Sequence, residues 1–268
     1  MVTRRRLDAE LVRRGLARSR EQAAELVADG LVTVAGQAAG KPATQVAPED
    51  PIVVRERGTG PAYASRGGVK LAGALAVFTA QGLTVAGRRC LDAGASTGGF
   101  TDVLLRAGAG HVIAADVGYG QLAWPLRTDE RVTVLDRVNV RSLTPGQVAP
   151  PPDLVTADLS FISLTLVLPA LAACASPDAD FVLMVKPQFE AGKGRVGAGG
   201  VVRDPALRAE AVTAVAAAAA TLGLGVAGMT PSPLPGPSGN VEYFLWLRRG
   251  APPLDPGQLR QVIAEGPQ

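Results

Sequence analysis

Four charged side chains stand where they could perform acid–base chemistry. Asp158 and Lys186 each end an apolar run, Lys70 lies near the start of a predicted helix, and Glu242 opens the last apolar run. A lysine that closes a buried strand is hard to explain by solvation, and an amine there can act as a general base. Two lysines and two carboxylates can also pair, so the alternative is a structural ion-pair cluster at the edge of a sheet.

A second chemical signal is the glycine-rich turn at residues 91–100, which reads Leu-Asp-Ala-Gly-Ala-Ser-Thr-Gly-Gly-Phe. An apolar run ends at Asp92, and helical spacing begins at Thr101. A turn of this kind needs glycine to bend sharply and to let a ligand lie against the backbone. The N-terminus of the following helix offers free N–H groups to a negative group.

Two further predicted strands, His111–Asp116 and Val132–Asp136, also end in an acid. The dinucleotide pattern G-x-G-x-x-G is not met, and three acid-ended strands fit S-adenosylmethionine better than a pyrophosphate cofactor. In this interpretation Asp92 binds the aminoacyl amine, Asp116 the ribose and Asp136 the adenine amino group. The alternative is simply a tight turn in a nucleotide-binding fold. The predicted cofactor residues are Asp92, Gly94, Ser96, Thr97, Gly98, Gly99, Phe100, Asp116, Asp136 and Asp158.

The elements that position these side chains alternate between strands and helices. The remaining strands are predicted near 153–158, 181–186, 225–230 and 241–247, and the clearest helices end near Gln81 and span 205–222. This alternation predicts an α/β fold with a doubly wound, seven-stranded, mostly parallel Rossmann-like sheet. Such sheets bind ligands at the carboxyl ends of their strands, which is where most of the charged side chains stand.

Basic charge is concentrated at the start of the chain. The net charge is +3, yet residues 1–70 carry 12 Lys and Arg against 8 Asp and Glu, and seven arginines fall in the first twenty positions. This asymmetry indicates a polyanion-binding unit on a nearly neutral body, with a solvated basic face as the alternative. The predicted RNA-binding residues are Arg4, Arg6, Arg14, Arg18, Arg20 and Lys41.

Cysteine and histidine are scarce, which argues against several kinds of site. The two cysteines lie among apolar residues, so no disulfide framework is indicated and a reducing cytoplasm is expected. With His111 as the one histidine, Ser-His catalysis and a Cys-His zinc site are disfavoured, and no metal is predicted. The sequence shows no signal peptide and no apolar stretch of about 20 residues, so no membrane association is expected.

One pattern spans the start of the chain and includes Arg6-Leu7-Asp8, Gly15-Leu16-Ala17, Ser19-Arg20 and Gly30-Leu31-Val32-Thr33-Val34. It resembles the alpha-L, or S-four-type, RNA-binding motif, which a ribosomal protein shares with many pseudouridine synthases. The resemblance covers about the first 55 residues. It implies two short helices that present arginines to RNA phosphates, namely Arg6, Arg14, Arg18 and Arg20.

A second set of motifs covers the rest of the chain. These motifs are Ser65-Arg66 with Lys70-Leu71, residues 92–101, Ala157-Asp158-Leu159-Ser160-Phe161-Ile162-Ser163, Lys186-Pro187-Gln188-Phe189-Glu190 and Gly236-Pro237-Ser238-Gly239-Asn240-Val241-Glu242-Tyr243. Together they resemble the TlyA family, hemolysin A-like proteins that act as ribosomal RNA 2′-O-methyltransferases. The catalytic unit of that family is similar to the FtsJ class, whose Lys-Asp-Lys-Glu tetrad maps onto Lys70, Asp158, Lys186 and Glu242.

The resemblance implies a reaction and a division into domains. The reaction is S-adenosylmethionine-dependent 2′-O-methylation of cytidine in 16S and 23S ribosomal RNA, at the small-subunit decoding helix and a large-subunit bridge helix. Lys186 is the predicted general base. Asp158 and Lys70 are expected to orient the ribose hydroxyl and tune that lysine, and Glu242 to hold the lysine pair in place. The implied domains are an S-four-type RNA-binding domain at 1–55, a linker at 56–66 and an FtsJ-like methyltransferase domain at 67–268.

Other functions stay open at the level of sequence. The hemolysin names allow a membrane-active protein, and the basic unit allows a non-catalytic RNA-binding factor with a relic cofactor fold. Methyl transfer to a small molecule is disfavoured by the basic N-terminal unit. The segment from Gly192 to Gly200 lacks the phosphate-loop spacing and is interpreted as a loop that closes over RNA or as a passive connection. No pattern indicates the oligomeric state.

Overall fold

The computed structural model describes residues 4–28, 30–54, 63–192 and 194–266. Contacts between Cα atoms divide the chain into two compact units, Met1–Ala62 and Tyr63–Gln268. Most of the predicted linker lies outside the described residues, so the boundaries at 55 and 67 stay predictions. Within the described ranges, no helix is long and apolar enough to cross a membrane, and no cluster of His, Cys, Asp and Glu could hold a metal ion.

The first unit packs a helix pair against short strands. In chain order its elements are β1 (Arg5–Arg6), α1 (Leu7–Arg13), α2 (Arg20–Ala28), β2 (Val32–Val34), β3 (Gln37–Ala38), β4 (Gln45–Val46) and β5 (Ile52–Val54). Leu7, Leu11 and Val32 are fully buried in its core. Ser19 caps α2, because its Oγ accepts Gln22 N at 3.1 Å.

The second unit alternates strands and helices along most of its length. Its elements are α3 (Arg66–Ala80), β6 (Arg89–Ala93), α4 (Gly99–Arg106), β7 (His111–Asp116), α5 (Trp124–Arg127), β8 (Val132–Asp136), α6 (Pro145–Val148), β9 (Leu154–Ala157), α7 (Leu164–Cys174), β10 (Asp180–Val185), α8 (Pro187–Glu190), α9 (Pro205–Ala220), β11 (Leu224–Pro231), β12 (Tyr243–Arg249) and α10 (Pro256–Glu265). Single turns of 3-10 helix lie at Val140–Ser142 and Ala198–Gly200.

Strands β6 to β12 form one sheet in the described part of the chain, in the order β11-β12-β10-β9-β6-β7-β8. β12 alone runs opposite to the other six strands, which confirms the predicted mostly parallel, doubly wound sheet. Alternate side chains enter two cores: Leu91 and Ile113 share one with α7, α9 and α10, whereas Cys90 and Val112 share the other with α3 and α4. The carboxyl ends of the parallel strands therefore gather at one edge.

The charged candidates lie just outside the strands. Asp158 follows β9, Lys186 follows β10, and Glu242 directly precedes β12. The predicted start of the last strand at 241 lies two residues before the observed start of β12, although the carbonyl oxygen of Glu242 already accepts Ser232 N at 2.8 Å beside the β11–β12 pairing. Since β12 is antiparallel, its beginning lies at the same edge as the ends of β9 and β10.

Candidate active site

Two lysine–carboxylate pairs lie at the carboxyl edge of the sheet. Lys70 Nζ donates to Glu242 Oε2 at 2.5 Å, and both side chains are buried. Lys186 Nζ lies 2.5 Å from Asp158 Oδ1 and donates to Ser160 Oγ at 3.2 Å. Asp158 and Lys186 thus form an ion pair, as Lys70 and Glu242 do. The charges cancel in pairs, which limits the cost of placing them in a largely buried site.

Gln188 and Gly236 fix the carboxylate of Glu242. Gln188 donates its Nε2 to Glu242 Oε1 at 3.2 Å. A Cβ at Gly236 would lie 2.6 Å from the same oxygen, so glycine leaves the room that the carboxylate occupies. The turn is closed by Gly236 N, which donates to Asn240 O at 2.8 Å, and the Asn240 side chain bonds the main chain of residues 200–202.

The turn after β6 forms a cradle beside the Asp158 pair. Gly94 has φ of +88°, and a Cβ there would lie 2.5 Å from the carbonyl oxygen of Asp158. Glycine is therefore required both for the backbone conformation and for the close approach. Ser96 has φ of +48°, and both Ser96 and Thr97 are exposed. The cradle thus offers main chain and two hydroxyl groups to a ligand.

Asp92 is the second-last residue of β6, just before this cradle, and has no solvent exposure. Its Oδ2 accepts a hydrogen bond from Thr101 Oγ1 at 2.7 Å, whereas its buried Oδ1 has no partner in the described part of the chain. Burial raises the pKa of Asp92 to about 7, and the hydrogen bond from Thr101 opposes that rise. A buried oxygen without a partner is costly, so it fits an incoming cationic or hydrogen-bond-donating group.

The other two predicted acids already bind groups of the protein. Asp116 accepts Ser96 N at 2.9 Å and Gly118 N at 2.7 Å, so it fixes the cradle to the loop after β7. Asp136 pairs with Arg127 at 2.8 Å, and this hydrogen-bonded guanidinium lowers the pKa of Asp136 below its ordinary value. Each carboxylate oxygen keeps a further lone pair, so contacts with ribose and adenine stay predictions.

Three predicted cofactor residues contribute to the packing of the turn. Phe100 is buried in the core that contains α3 and α4, and its assignment to the cofactor site stays a prediction. Gly98 and Gly99 are also buried, and a Cβ on them would overlap the side chains of Leu126 and Ser65, respectively. Both glycines therefore permit close approach of neighbouring segments.

In the first unit, a group of predicted RNA contacts is exposed, namely Arg4, Arg18 and Lys41. Arg6 and Arg20 both bind Asp8 at 2.9 Å, while about half of each arginine side chain stays exposed. The hydrogen bond from Arg6 holds the pKa of Asp8 well below its usual range. One carboxylate thus orders two guanidinium groups and leaves the cluster with a net positive charge.

Arg14 has a structural role that the sequence does not reveal. Its guanidinium donates to Glu10 Oε1, Asp50 O and Pro48 O, each at 2.8 Å. Glu10 is fully buried, and hydrogen bonds from Arg13 and Arg14 lower its pKa to about 2. These bonds direct most of the N–H groups of Arg14 into the unit, and its assignment to RNA binding stays a prediction.

The known proteins that this chain resembles account for both units. Residues 63–249 match the family model of the FtsJ-like methyltransferases. The chain belongs to this family. Residues 5–52 match the S4 domain, so the FtsJ-like methyltransferase unit follows an S4 unit in one chain.

Relatives of this FtsJ-like methyltransferase match it over nearly its whole length. The 16S/23S rRNA (cytidine-2′-O)-methyltransferase TlyA of Mycobacterium tuberculosis is 63% identical over 92% of this chain and 91% of that protein. Hemolysin A of Brachyspira hyodysenteriae is 36% identical over 89% of this chain and 98% of that protein. A solved structure from Streptococcus thermophilus, provisionally named a hemolysin, has a TM-score of 0.76 and 38% identity, covering 99% of this chain and 96% of the other. Both kinds of name therefore occur among proteins of similar length.

Two side chains near the lysine–carboxylate pairs of this FtsJ-like methyltransferase have no predicted role. Phe161 follows Ser160, is 91% exposed and has φ of +64°, and its ring lies 5.2 Å from that of Phe189. Glu190 accepts two hydrogen bonds from the beginning of α7. A single aromatic residue in a loop has no periodicity, and a carboxylate that binds a distant helix has no local signature, so sequence reasoning missed both.

Proposed function

We propose that this chain methylates the ribose 2′-hydroxyl of cytidine in 16S and 23S ribosomal RNA, with S-adenosylmethionine as the methyl donor. The observation that carries the proposal is the pairing of Lys186 with Asp158 and of Lys70 with Glu242, each at 2.5 Å, beside a glycine-rich cradle. The relative that is 63% identical bears this activity in its name. A non-catalytic RNA-binding factor would not require two largely buried lysines at the ligand-binding edge of a sheet.

We assign the cradle after β6 to S-adenosylmethionine. Asp92 Oδ1, the buried oxygen without a described partner, would accept a hydrogen bond from the aminoacyl ammonium. Gly94 and Ser96 would offer main-chain groups, while Asp116 and Asp136 would bind the ribose hydroxyls and the adenine amino group. When bound, the cofactor supplies a methyl group that is already activated for transfer.

Lys186 Nζ removes the proton from the 2′-hydroxyl as the oxygen accepts the methyl group. Asp158, 2.5 Å away, stabilises the positive charge that the amine carries after it takes up the proton. Lys70 lies within the hydrogen-bonding reach of Glu242 and orients the hydroxyl from the other side. Because the methyl group is activated, most of the rate comes from holding the oxygen in line with it.

The S4 unit contacts the phosphates of the RNA backbone. We assign these contacts to the side chains of Arg4, Arg6, Arg18, Arg20 and Lys41. Phe161 is the exposed ring beside the Lys186–Asp158 pair, and it offers a flat face on which the target base stacks. We propose ribosomal RNA within ribosomal subunits as the substrate and the cytoplasm as the location of the enzyme.

The decisive experiment is mass spectrometry of ribosomal subunits incubated with the protein and labelled S-adenosylmethionine. Wild-type protein is expected to produce 2′-O-methylcytidine in both RNAs. Lys186→Ala is expected to lower turnover about 100-fold or more, because general-base catalysis is lost, while cofactor affinity measured by calorimetry stays within about twofold. Lys186→Arg is also expected to fail, because a guanidinium is not deprotonated at working pH.

Each half of the proposal has its own contrary result. Full turnover in Lys186→Ala would show that this lysine is not the general base, but it would not contradict the proposed methylation itself. Subunits that gain no ribose methylation from the wild-type protein, despite measurable cofactor binding, would contradict the RNA substrate.

A further inference from the structure

Glu190 ties together the two loops that carry the Lys186–Asp158 pair. It ends α8, and its carboxylate accepts Ser163 Oγ at 2.5 Å and Leu164 N at 2.8 Å. Ser163 and Leu164 mark the beginning of α7, at the far end of the loop that starts with Asp158. One side chain therefore connects the segment after β10 with the loop after β9.

The contact is well satisfied when Glu190 is ionised. Thr165 Oγ1 lies 2.7 Å from Ser163 Oγ, and Thr165 N donates to the same oxygen at 3.1 Å, so the Ser163 hydroxyl is free to donate to Glu190. The carboxylate also lies at the N-terminus of an 11-residue helix, where a negative charge is favoured. Burial raises the pKa of Glu190, and the two hydrogen bonds oppose that rise.

The loop after β9 is held at its other end by Lys186. The amine contacts Asp158 at 2.5 Å and Ser160 at 3.2 Å, and between the two attachments Phe161 packs on Phe189 at 5.2 Å between ring centroids. All three attachments are made by the short segment 186–190. The distance between Lys186 and Asp158 thus depends on both ends of the loop.

We propose that Glu190 is a positioning residue for the methyl transfer: by fixing the beginning of α7, it holds Asp158 and Phe161 in register with the amine of Lys186. The inference rests on the proposed ribose methylation and adds a residue that touches neither cofactor nor RNA. Loss of the contact lets the loop 158–163 move relative to Lys186, and displacements of about 1 Å at a reacting centre cost up to about 100-fold in rate.

The test compares Glu190→Ala with Glu190→Gln in the full-length protein. Glu190→Ala is expected to lower kcat about 10- to 100-fold while KM for ribosomal subunits and Kd for S-adenosylmethionine change less than about threefold. Glu190→Gln keeps an oxygen for Leu164 N and an N–H group for Ser163 Oγ, so it is expected to recover kcat to within about fivefold of wild type.

Asp255→Ala is the matched control. Asp255 caps α10 by accepting Gly257 N at 2.8 Å, so its loss also removes a carboxylate from a helix N-terminus. Both alanine variants are expected to lower Tm, but only Glu190→Ala lowers kcat. Equal losses of Tm with wild-type kcat in both would overturn the proposal.

Two further results separate the possible failures. If Glu190→Ala does not fold, Ser163→Ala removes one of the two bonds to Glu190, and an unchanged kcat in that variant counts against the positioning role. Glu190→Gln with kcat as low as Glu190→Ala also counts against it. Absence of methylation by the wild-type protein contradicts the proposed function, whereas the ratios between variants test Glu190 alone.

Discussion

Asp92 combines full burial with a carboxylate oxygen that has no partner in the described residues. With a pKa of about 7, this carboxyl is partly protonated at neutral pH in the free protein. In the proposed complex an ammonium group at Oδ1 would favour the ionised form, so we expect cofactor binding to release a proton from the protonated fraction. The free energy that is lost by burying the charged form of Asp92 would thus be offset when the cofactor occupies the cradle.

Affinity for S-adenosylmethionine is expected to rise with pH between 6 and 7.5. The cofactor is expected to bind the ionised form of Asp92, and the pKa of about 7 means that this form becomes more abundant over this range. The affinity is therefore expected to increase about five- to tenfold. Calorimetry of the wild type and of Asp92→Asn at several pH values measures it. The Asn variant is expected to bind more weakly with a flatter pH profile, and an equally steep profile would exclude Asp92 as the source.

Unfolding gives an independent check on the same group. A folded-state pKa raised above the unfolded value stabilises the fold at low pH, and that contribution is lost as pH rises through the folded-state value of about 7. Between pH 4 and 7, Asp92 is therefore expected to lower the free energy of unfolding of the cofactor-free protein by about 1.4 kcal/mol per pH unit. Urea unfolding of Asp92→Asn is expected to lack this contribution.

Arg14 and Arg18 separate structural from RNA-binding arginines. Arg14→Ala removes hydrogen bonds to three partners and leaves buried Glu10 with Arg13 alone, so we expect a loss of about 2 kcal/mol in local stability. Hydrogen exchange of the α1 amides measures this loss. Exposed Arg18 is the control: Arg18→Ala is expected to weaken RNA binding with unchanged exchange. If the α1 amides of Arg14→Ala exchanged as slowly as those of the wild type, the structural role of Arg14 would be contradicted.

Among the elements, the turn before β12 is the one that sets the position of Glu242. Gly236→Ala would bring a Cβ to 2.6 Å from Glu242 Oε1, in a carboxylate already bound by Lys70 and Gln188. The carboxylate must shift, and we expect kcat for RNA methylation to fall at least about tenfold with little change in cofactor affinity. Gly146→Ala, in open space within α6, is the control and is expected to keep wild-type kcat. Undiminished kcat in Gly236→Ala would show that Glu242 is not held by this turn.

The main elements of the second unit could be predicted because apolar runs bounded by turns define them. Strands His111–Asp116 and Val132–Asp136 agree with the prediction residue for residue. The placement of Asp158 and Lys186 at strand ends follows from the same runs, and the structure brings them together.

Contacts across the fold could not be predicted in this way. The bonds of Glu190 reach residues 26 and 27 positions away, and no local pattern encodes that distance. Arg14 and Phe100 show a second limit, because residue type indicates charge or aromaticity but not the exposure that decides between a core residue and a ligand contact.

At the scale of the whole molecule, the two units divide the work. The basic excess lies before residue 70, whereas the cradle and the lysine–carboxylate pairs belong to the second unit. A chain of residues 63–268 is expected to bind S-adenosylmethionine as well as the full protein but to lose most methylation of ribosomal subunits. Equal methylation by the truncated and full chains would reduce the S4 unit to a solvated basic lobe.

Salt dependence measures the contribution of individual cations in the first unit. The slope of log affinity for RNA against log salt concentration is expected to flatten by about 0.7–0.9 for each phosphate contact that is removed. Arg18→Ala with Lys41→Ala is the informative pair, because both residues are exposed. A double variant with the wild-type slope would place the phosphate contacts elsewhere.

The last strand of the sheet to be synthesised, β12, completes the sheet from within. β12 lies between β10 and β11, and it follows directly after Glu242, the partner of Lys70. A nascent chain that has not reached β12 has a vacant slot within its sheet and an unpaired lysine, so it lacks half of the proposed catalytic set. Translation that stops before this point yields an inert product. An enzyme that modifies ribosomes would in this way be inactive while a ribosome is still synthesising it.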